Sequence, residues 1–124
     1  MNIDIDLNYL TDEELKVLYI FTILMNRVNQ SHNYKITNQN KGEGILGIYK
    51  DENGWKTFII ERGQKCGIET FDSLDKACID IFNRLELNAT NYCLEMFPKL
   101  LNEDFDMNYI YEYFRIKRNK TKKI

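Results

Sequence analysis

The sequence predicts an α+β protein in which helices flank a small antiparallel β-meander of three to four strands. The 124 residues are 44% hydrophobic, which suits one domain with its own core. Residues 45–71 form short β-rich runs separated by turn signals, and residues 74–85 carry an amphipathic helical stripe. We expect a single domain over residues 1–114 and a basic C-terminal tail over residues 115–124.

The first predicted helix begins at a capping box. The alternating residues 3–7 form either a short strand or a lead-in to this helix. The Thr11 hydroxyl can accept from the amide of Glu14, whose carboxylate reaches back, so the helix starts here and extends to about Val28. Apolar side chains cover most of its circumference, which predicts a helix buried on more than one side or docked on a partner.

The meander follows a polar loop over residues 29–44, within which Tyr34–Thr37 could add a short strand. Ile45–Lys50 is β-rich and leads into a hairpin turn marked by Asn53-Gly54, after which Trp55–Arg62 forms the next strand.

A second turn at Gly63–Lys65 separates that strand from a third one at Cys66–Phe71. Side chains alternate between the two faces of a strand. One face of the middle strand therefore carries Trp55, Thr57, Ile59 and Glu61, and the other carries Lys56, Phe58, Ile60 and Arg62.

The C-terminal part is predicted to be helical. Asp72 caps a helix of about 13 residues that packs across the sheet. Residues 87–101 are helical up to a kink or end at Pro98, and a last helix ends near Phe114. The stripe of the first of these helices consists of Leu74, Ala77, Cys78, Ile81, Phe82 and Leu85.

Charge is divided unevenly along the chain. Residues 1–114 hold 11 basic and 19 acidic side chains, a net charge of −8, while the tail carries +6. The acidic body favours basic partners and repels phosphates. The tail is either a solubilising end or a contact for RNA or lipid.

The location is predicted to be cytoplasmic. The three cysteines, Cys66, Cys78 and Cys93, are odd in number and lack CxxC spacing, which indicates a reducing compartment. The N-terminus lacks a basic region typical of a secretory signal. The longest apolar run, Val17 to Met25, is far short of the roughly 20 residues of a membrane helix.

The residues argue against catalysis, so we expect no enzyme activity, no cofactor and no metal. A single histidine, His32, excludes a multi-histidine metal site. No glycine motif for phosphate binding is present. The acidic group Glu103, Asp104 and Asp106 lacks the central glycine of a calcium loop. Glu61 and Arg62 could form a substrate-binding pair, but on alternate faces of one strand they do not easily pair, and a strand end followed by a glycine turn is the favoured explanation.

Residues 42–86 contain, in this order, Gly47-Ile48-Tyr49-Lys50, Asp51-Glu52-Asn53-Gly54-Trp55, Phe58, Glu61-Arg62-Gly63, Phe71-Asp72-Ser73, Ala77-Cys78 and Phe82-x-x-Leu85. In order and spacing this stretch resembles small immunity proteins of bacterial polymorphic and contact-dependent growth inhibition toxin systems. The resemblance implies an antitoxin that binds one cognate toxin domain and neutralises it by occlusion.

The acidic body is compatible with such a role, since many of these toxins are basic nucleases and opposite charge steers association. The partner-binding residues predicted on charge are Asp51, Glu52, Glu69, Asp72 and Asp75.

Two other functions stay open at this point. One is a non-catalytic adaptor or regulatory module that uses the helix at 11–28 to form a dimer or grip another protein. The other is a small RNA-binding protein that uses the tail and the sheet face with Lys56 and Phe58, although the surrounding acids oppose nucleic acid. The oligomeric state does not follow from the sequence.

Overall fold

The structure, a computed structural model, describes residues 2–118. It confirms the α+β class, with a small sheet packed against helices. A 3-10 turn at Leu7–Tyr9 precedes the first α-helix. The elements that follow are α1 (Asp12–Arg27), β1 (Tyr34–Ile36), β2 (Ile45–Asp51), β3 (Gly54–Glu61), β4 (Gln64–Phe71), α2 (Leu74–Asn83), α3 (Leu87–Leu101) and α4 (Met107–Phe114).

The sheet has the order β1-β2-β3-β4, and β2 to β4 form the predicted antiparallel meander. The prediction of an antiparallel sheet is wrong at one edge, because β1 lies parallel to β2, with Ile36 opposite Ile48. Parallel neighbours need a connection that returns along the sheet. β1 has only three residues, a length of roughly 10 Å, so the loop over residues 37–44 is long enough to return.

Residues 2–4 lie along the outer edge of β1. The amide of Ile36 donates to the carbonyl oxygen of Asn2 at 2.7 Å, and the amide of Asp4 donates to the carbonyl oxygen of Ile36 at 3.0 Å. The Thr37 hydroxyl donates to the Asp4 carboxylate at 2.7 Å. The alternating segment at residues 3–7 is therefore one bridge from Ile3 to Ile36, after which the chain turns.

The turn between β3 and β4 differs from its prediction by two residues. Arg62 and Gly63 both have positive φ, 53° and 73°, as a tight hairpin turn with right-handed twist requires. Arg62 therefore belongs to the turn and not to the middle strand, and β4 begins at Gln64 instead of Cys66.

The two faces of β3 are those predicted. Trp55 and Ile59 pack into the helical core, whereas Phe58 and Ile60 lie on the opposite face. Phe58 is nevertheless fully buried, because its ring lies over Gly47, where a methyl group would overlap it.

Helix α1 is the centre of the core, which confirms burial on more than one side. Leu15, Leu18 and Phe21 are fully buried, and α1 packs against α2, α3 and α4. The predicted capping box is present. The Glu14 amide donates to the Thr11 hydroxyl at 3.1 Å, and the Thr11 amide donates to the Glu14 carboxylate at 3.0 Å.

The later helices follow the predicted order with three differences. Ser73, and not Asp72, is the N-cap residue of α2, although its side chain makes no capping hydrogen bond, and Asp72 pairs with Lys76 at 3.0 Å. Helix α2 has 10 residues. Helix α3 does not end at Pro98 but continues to Leu101, and Pro98 lies on its exposed side.

The first residues of the predicted tail pack against the domain. Ile116 is buried, and the Arg118 guanidinium pairs with Asp12 at 2.8 Å while donating to the carbonyl oxygens of Asn8 and Leu10. Lys120, Lys122 and Lys123 lie outside the described residues.

Candidate partner-binding site

Four of the five predicted acidic residues lie at one end of the molecule. Asp51 ends β2 and Glu52 lies in the turn to β3, while Asp72 and Asp75 lie on either side of the start of α2. The pairing of Trp55 with Phe71 places that turn next to the end of β4, where the chain leads into Asp72. Residues far apart in the sequence thus meet at this end.

Helix α1 contributes an acid to the same end. Glu13, Asp72 and Asp75 line a shallow groove between the first turns of α1 and α2, with Val17 in its wall. A second groove shares Glu13, Val17 and Asp75 and extends towards Leu101. We call the combined feature the acidic groove.

The acids at this end differ in whether they already have a partner. The Glu14 carboxylate accepts from Lys50 at 2.9 Å and from the Trp55 indole nitrogen at 3.1 Å. Burial raises the pKa of Glu14, but these bonds and the one from the Thr11 amide outweigh it, so the pKa is below its ordinary value. Asp72 pairs with Lys76, and this hydrogen bond lowers its pKa.

The remaining acids have no such partner. Within residues 2–118, neither a hydrogen bond nor an ion pair is formed by the side chains of Glu13, Glu52 and Asp75. Asp51 is intermediate, with Lys56 at 3.8 Å and the Asn53 amide at 2.8 Å. Lys50 and Lys16 also line the grooves, so this end of the described chain presents three carboxylates without a hydrogen bond or ion pair of their own beside a few basic side chains.

Glu69 is placed differently from the other predicted residues. It lies on β4 opposite Thr57 and is exposed, but it does not line the acidic groove. Within the described part of the chain its carboxylate forms no hydrogen bond or ion pair. The structure thus places it on the edge of the sheet, next to the acidic end.

Two contributors were missed by the sequence reasoning. Glu13 was interpreted only as part of the helix start, where an acid is expected anyway. Tyr9 is 52% exposed and close enough to Glu14 and Lys50 to sense their charges, while burial is the main cause that raises its pKa. It precedes the capping box in a segment with no clear period, so only its aromatic character could have drawn attention to it.

A partly buried polar network joins α2 to the sheet. The Thr57 hydroxyl donates to the Asp80 carboxylate at 2.7 Å, and the Arg84 guanidinium donates to that carboxylate at 3.0 Å. Arg84 also donates to the carbonyl oxygen of Gly67 at 2.8 Å. Sequence periodicity could not reveal this network, because Asp80 and Arg84 resemble ordinary exposed helix residues.

The other candidate sites acquire structural explanations. Phe58 and Ile60 are fully buried, so this face does not offer bases an exposed stacking surface. Arg62 donates its backbone amide to the Glu43 carboxylate at 2.9 Å. Burial raises the pKa of Cys93 to about 11 and that of Cys78 well above its ordinary value, which keeps both thiols protonated.

Among residues 2–118, no three His, Cys, Asp or Glu side chains are grouped to hold a metal ion. The helices described in this range are all too short or too polar to cross a bilayer. In comparisons with known proteins, no family model, curated protein or solved structure matched the chain.

Proposed function

We propose that this protein is a cytoplasmic immunity protein, an antitoxin that binds a cognate bacterial toxin domain and neutralises it by occlusion. The observation that carries the proposal is the set of unpaired acids, Glu13, Glu52 and Asp75, which are grouped at one end of the described part of the molecule. The resemblance over residues 42–86 supports the same role.

The physical argument is one of charge complementarity. Carboxylates without partners in their own chain remain free to pair with the basic surface of another macromolecule, such as a basic nuclease. Their collective field raises the rate of encounter with such a partner and lowers the affinity for nucleic acid. The exposed Tyr9 adds an aromatic side chain of the type that dominates many interfaces. Occlusion requires no catalytic group and no cofactor.

The adaptor alternative loses its main support. It depended on α1 presenting an apolar face to a partner or to a second copy. Leu18, Phe21 and Leu24 of α1 are fully buried within their own chain. An interface through α1 would therefore require the domain to open, whereas the acidic groove is accessible as it stands.

Co-expression tests the proposal directly. The toxin domain encoded beside this gene is expressed in a sensitive bacterium with and without this protein. We expect growth to be restored only when the protein is present, and a complex of the two to be recovered. Unchanged lethality with every neighbouring toxin would overturn the assignment.

A pair of matched variants locates the interface. Glu13→Gln with Asp75→Asn removes two charges from the acidic groove, and Glu61→Gln with Asp104→Asn removes two charges, also without an ion pair among residues 2–118, from exposed positions elsewhere. We expect the first variant to weaken the complex about tenfold or more and to reduce its salt dependence, and the second to change little. Equal effects of the two variants would contradict a role for the groove.

A further inference from the structure

The edge of the sheet at β4 is open. Among the described strands, β4 pairs with β3 alone. Most of its residues are exposed, and Ile68 is 50% exposed despite its apolar side chain. Such an edge offers unpaired backbone groups to another extended chain. The opposite edge, at β1, is instead covered by residues 2–4 of the same chain.

A β-bulge divides this edge into two halves. Thr57 pairs with Glu69 and Ile59 pairs with Cys66, so two residues of β4, Gly67 and Ile68, oppose Phe58 alone. Gly67 has a φ of +60°, and its carbonyl oxygen is occupied by Arg84. Bulges interrupt strand pairing along an edge. Any added strand therefore fits the half from Ile68 to Phe71, beyond the bulge.

That half directs a free backbone amide outwards. The pair Glu61–Gln64 closes a two-residue turn, so the backbone N–H and C=O groups of Glu61 bond to β4. Because these groups alternate in direction along a strand, every second residue of β3 also directs them towards β4. The backbone groups of Thr57 and Trp55 point towards β4, so those of their partners Glu69 and Phe71 point towards β3. Thr70, between them, points its N–H and C=O groups away from the sheet.

We propose that Ile68–Phe71 is a docking edge to which an extended, basic segment of the toxin partner adds as a fifth strand; this rests on the proposed function. Glu69 selects a basic occupant, because its carboxylate has no ion pair within residues 2–118. The other charges beside this half are paired: Lys56 lies 3.8 Å from Asp51 and donates to the Thr70 hydroxyl, and Asp72, where the strand leads into the acidic groove, pairs with Lys76. Lysine or arginine side chains on the added strand would face these acids, and Ile68 would provide an apolar contact.

The test compares two variants at one position. Thr70→Pro removes the outward amide, and proline is tolerated on an edge strand where its nitrogen faces solvent. Thr70→Ala keeps the amide but loses the hydroxyl that accepts from Lys56 at 2.9 Å, so it controls for the side chain. The probe is a catalytically inactive form of the toxin domain encoded beside the gene. We expect Thr70→Pro to bind about tenfold more weakly than Thr70→Ala.

Amide hydrogen exchange of the unmodified protein gives a second measurement, which does not depend on whether Thr70→Pro folds. We expect the Thr70 amide to become protected when the toxin domain is added. Binding without protection, and with equal affinity of both variants, overturns the docking edge while the proposed function stands. Absence of any complex overturns both proposals. Protection that rises with protein concentration alone identifies a second copy as the occupant and also overturns this proposal.

Discussion

The two edges of the sheet are treated in opposite ways. At β1, the backbone of Ile36 bonds to Asn2 and Asp4 on its outer side, and Thr37 fastens Asp4 through its hydroxyl. At β4, none of the strands among residues 2–118 covers the outer side, and only a bulge and the Arg84 contact modify the edge. The chain can therefore close an edge with a few residues, and it does so at β1 but not at β4. The open edge at β4 is therefore where a partner strand is proposed to bind.

The largest expected difference between the edges is in packing. Ile36 is fully buried in β1 and Ile68 is 50% exposed in β4. We expect Ile36→Ala to lower the free energy of unfolding by about 2–5 kcal/mol. The same change at Ile68 should alter it by at most about 0.5 kcal/mol, since exposed sites contribute little. Urea unfolding of both variants measures this, and similar losses would mean that the β4 edge is not open.

The next effect concerns the network that holds the open edge to α2. Arg84→Leu removes the donors to Asp80 and Gly67, and we expect a loss of about 1–3 kcal/mol. The loss should be accompanied by faster amide exchange around Gly67. Arg84→Lys retains the charge beside Asp80 and serves as the control, with a smaller change expected. Uniform acceleration over the whole sheet would show that the contact does not act locally on β4.

A smaller effect is expected at the covered edge. Thr37→Val removes the hydroxyl that donates to Asp4, at a cost of about 0.5–1.5 kcal/mol. Exchange of the Ile36 amide should quicken because residues 2–4 are held less firmly. Thr37→Ser keeps the hydroxyl and should behave like the original protein. An unchanged Ile36 amide in the valine variant would mean that the backbone bonds alone cover this edge.

The smallest effect depends on pH and concerns the hairpin beside the open edge. The pKa of Glu14 is lowered in the folded protein, so its contribution is present above the ordinary carboxyl pKa and is lost as pH falls through the folded value. Glu14 is partly exposed to solvent, which keeps the contribution modest. Thermal unfolding at acidic and neutral pH should show a weaker pH dependence for Glu14→Gln. If the variant and the original protein show the same pH dependence, Glu14 does not contribute to the pH dependence of stability.

Much of the local structure followed from the sequence because short-range chemistry determines it. The Thr11–Glu14 capping box, the face of α2 with Ala77 and Cys78, and the alternation around Trp55 each depend on residues a few positions apart. Such patterns are read directly from spacing. The residues at which helices and strands begin and end were less predictable. At Arg62 the demand of the turn for positive φ outweighed the strand pattern.

The candidate site could be predicted only in part. Charge alone identified Asp72 and Asp75, which line the groove, but it could not distinguish them from Glu69, which does not. It also could not include Glu13, because the meeting of α1 with α2 depends on packing between segments about sixty positions apart in the sequence.

By itself, the sequence determined the fold class, the order of the helices and strands, and the unequal division of charge. Only the tertiary structure decided that β1 runs parallel to β2, that residues 2–4 cover that edge, and that β4 stays open beside the acids. The physical reason is that helical stripes and turns are local preferences, whereas strand neighbours and grooves arise from contacts between distant segments. These contacts form only when the whole core is packed.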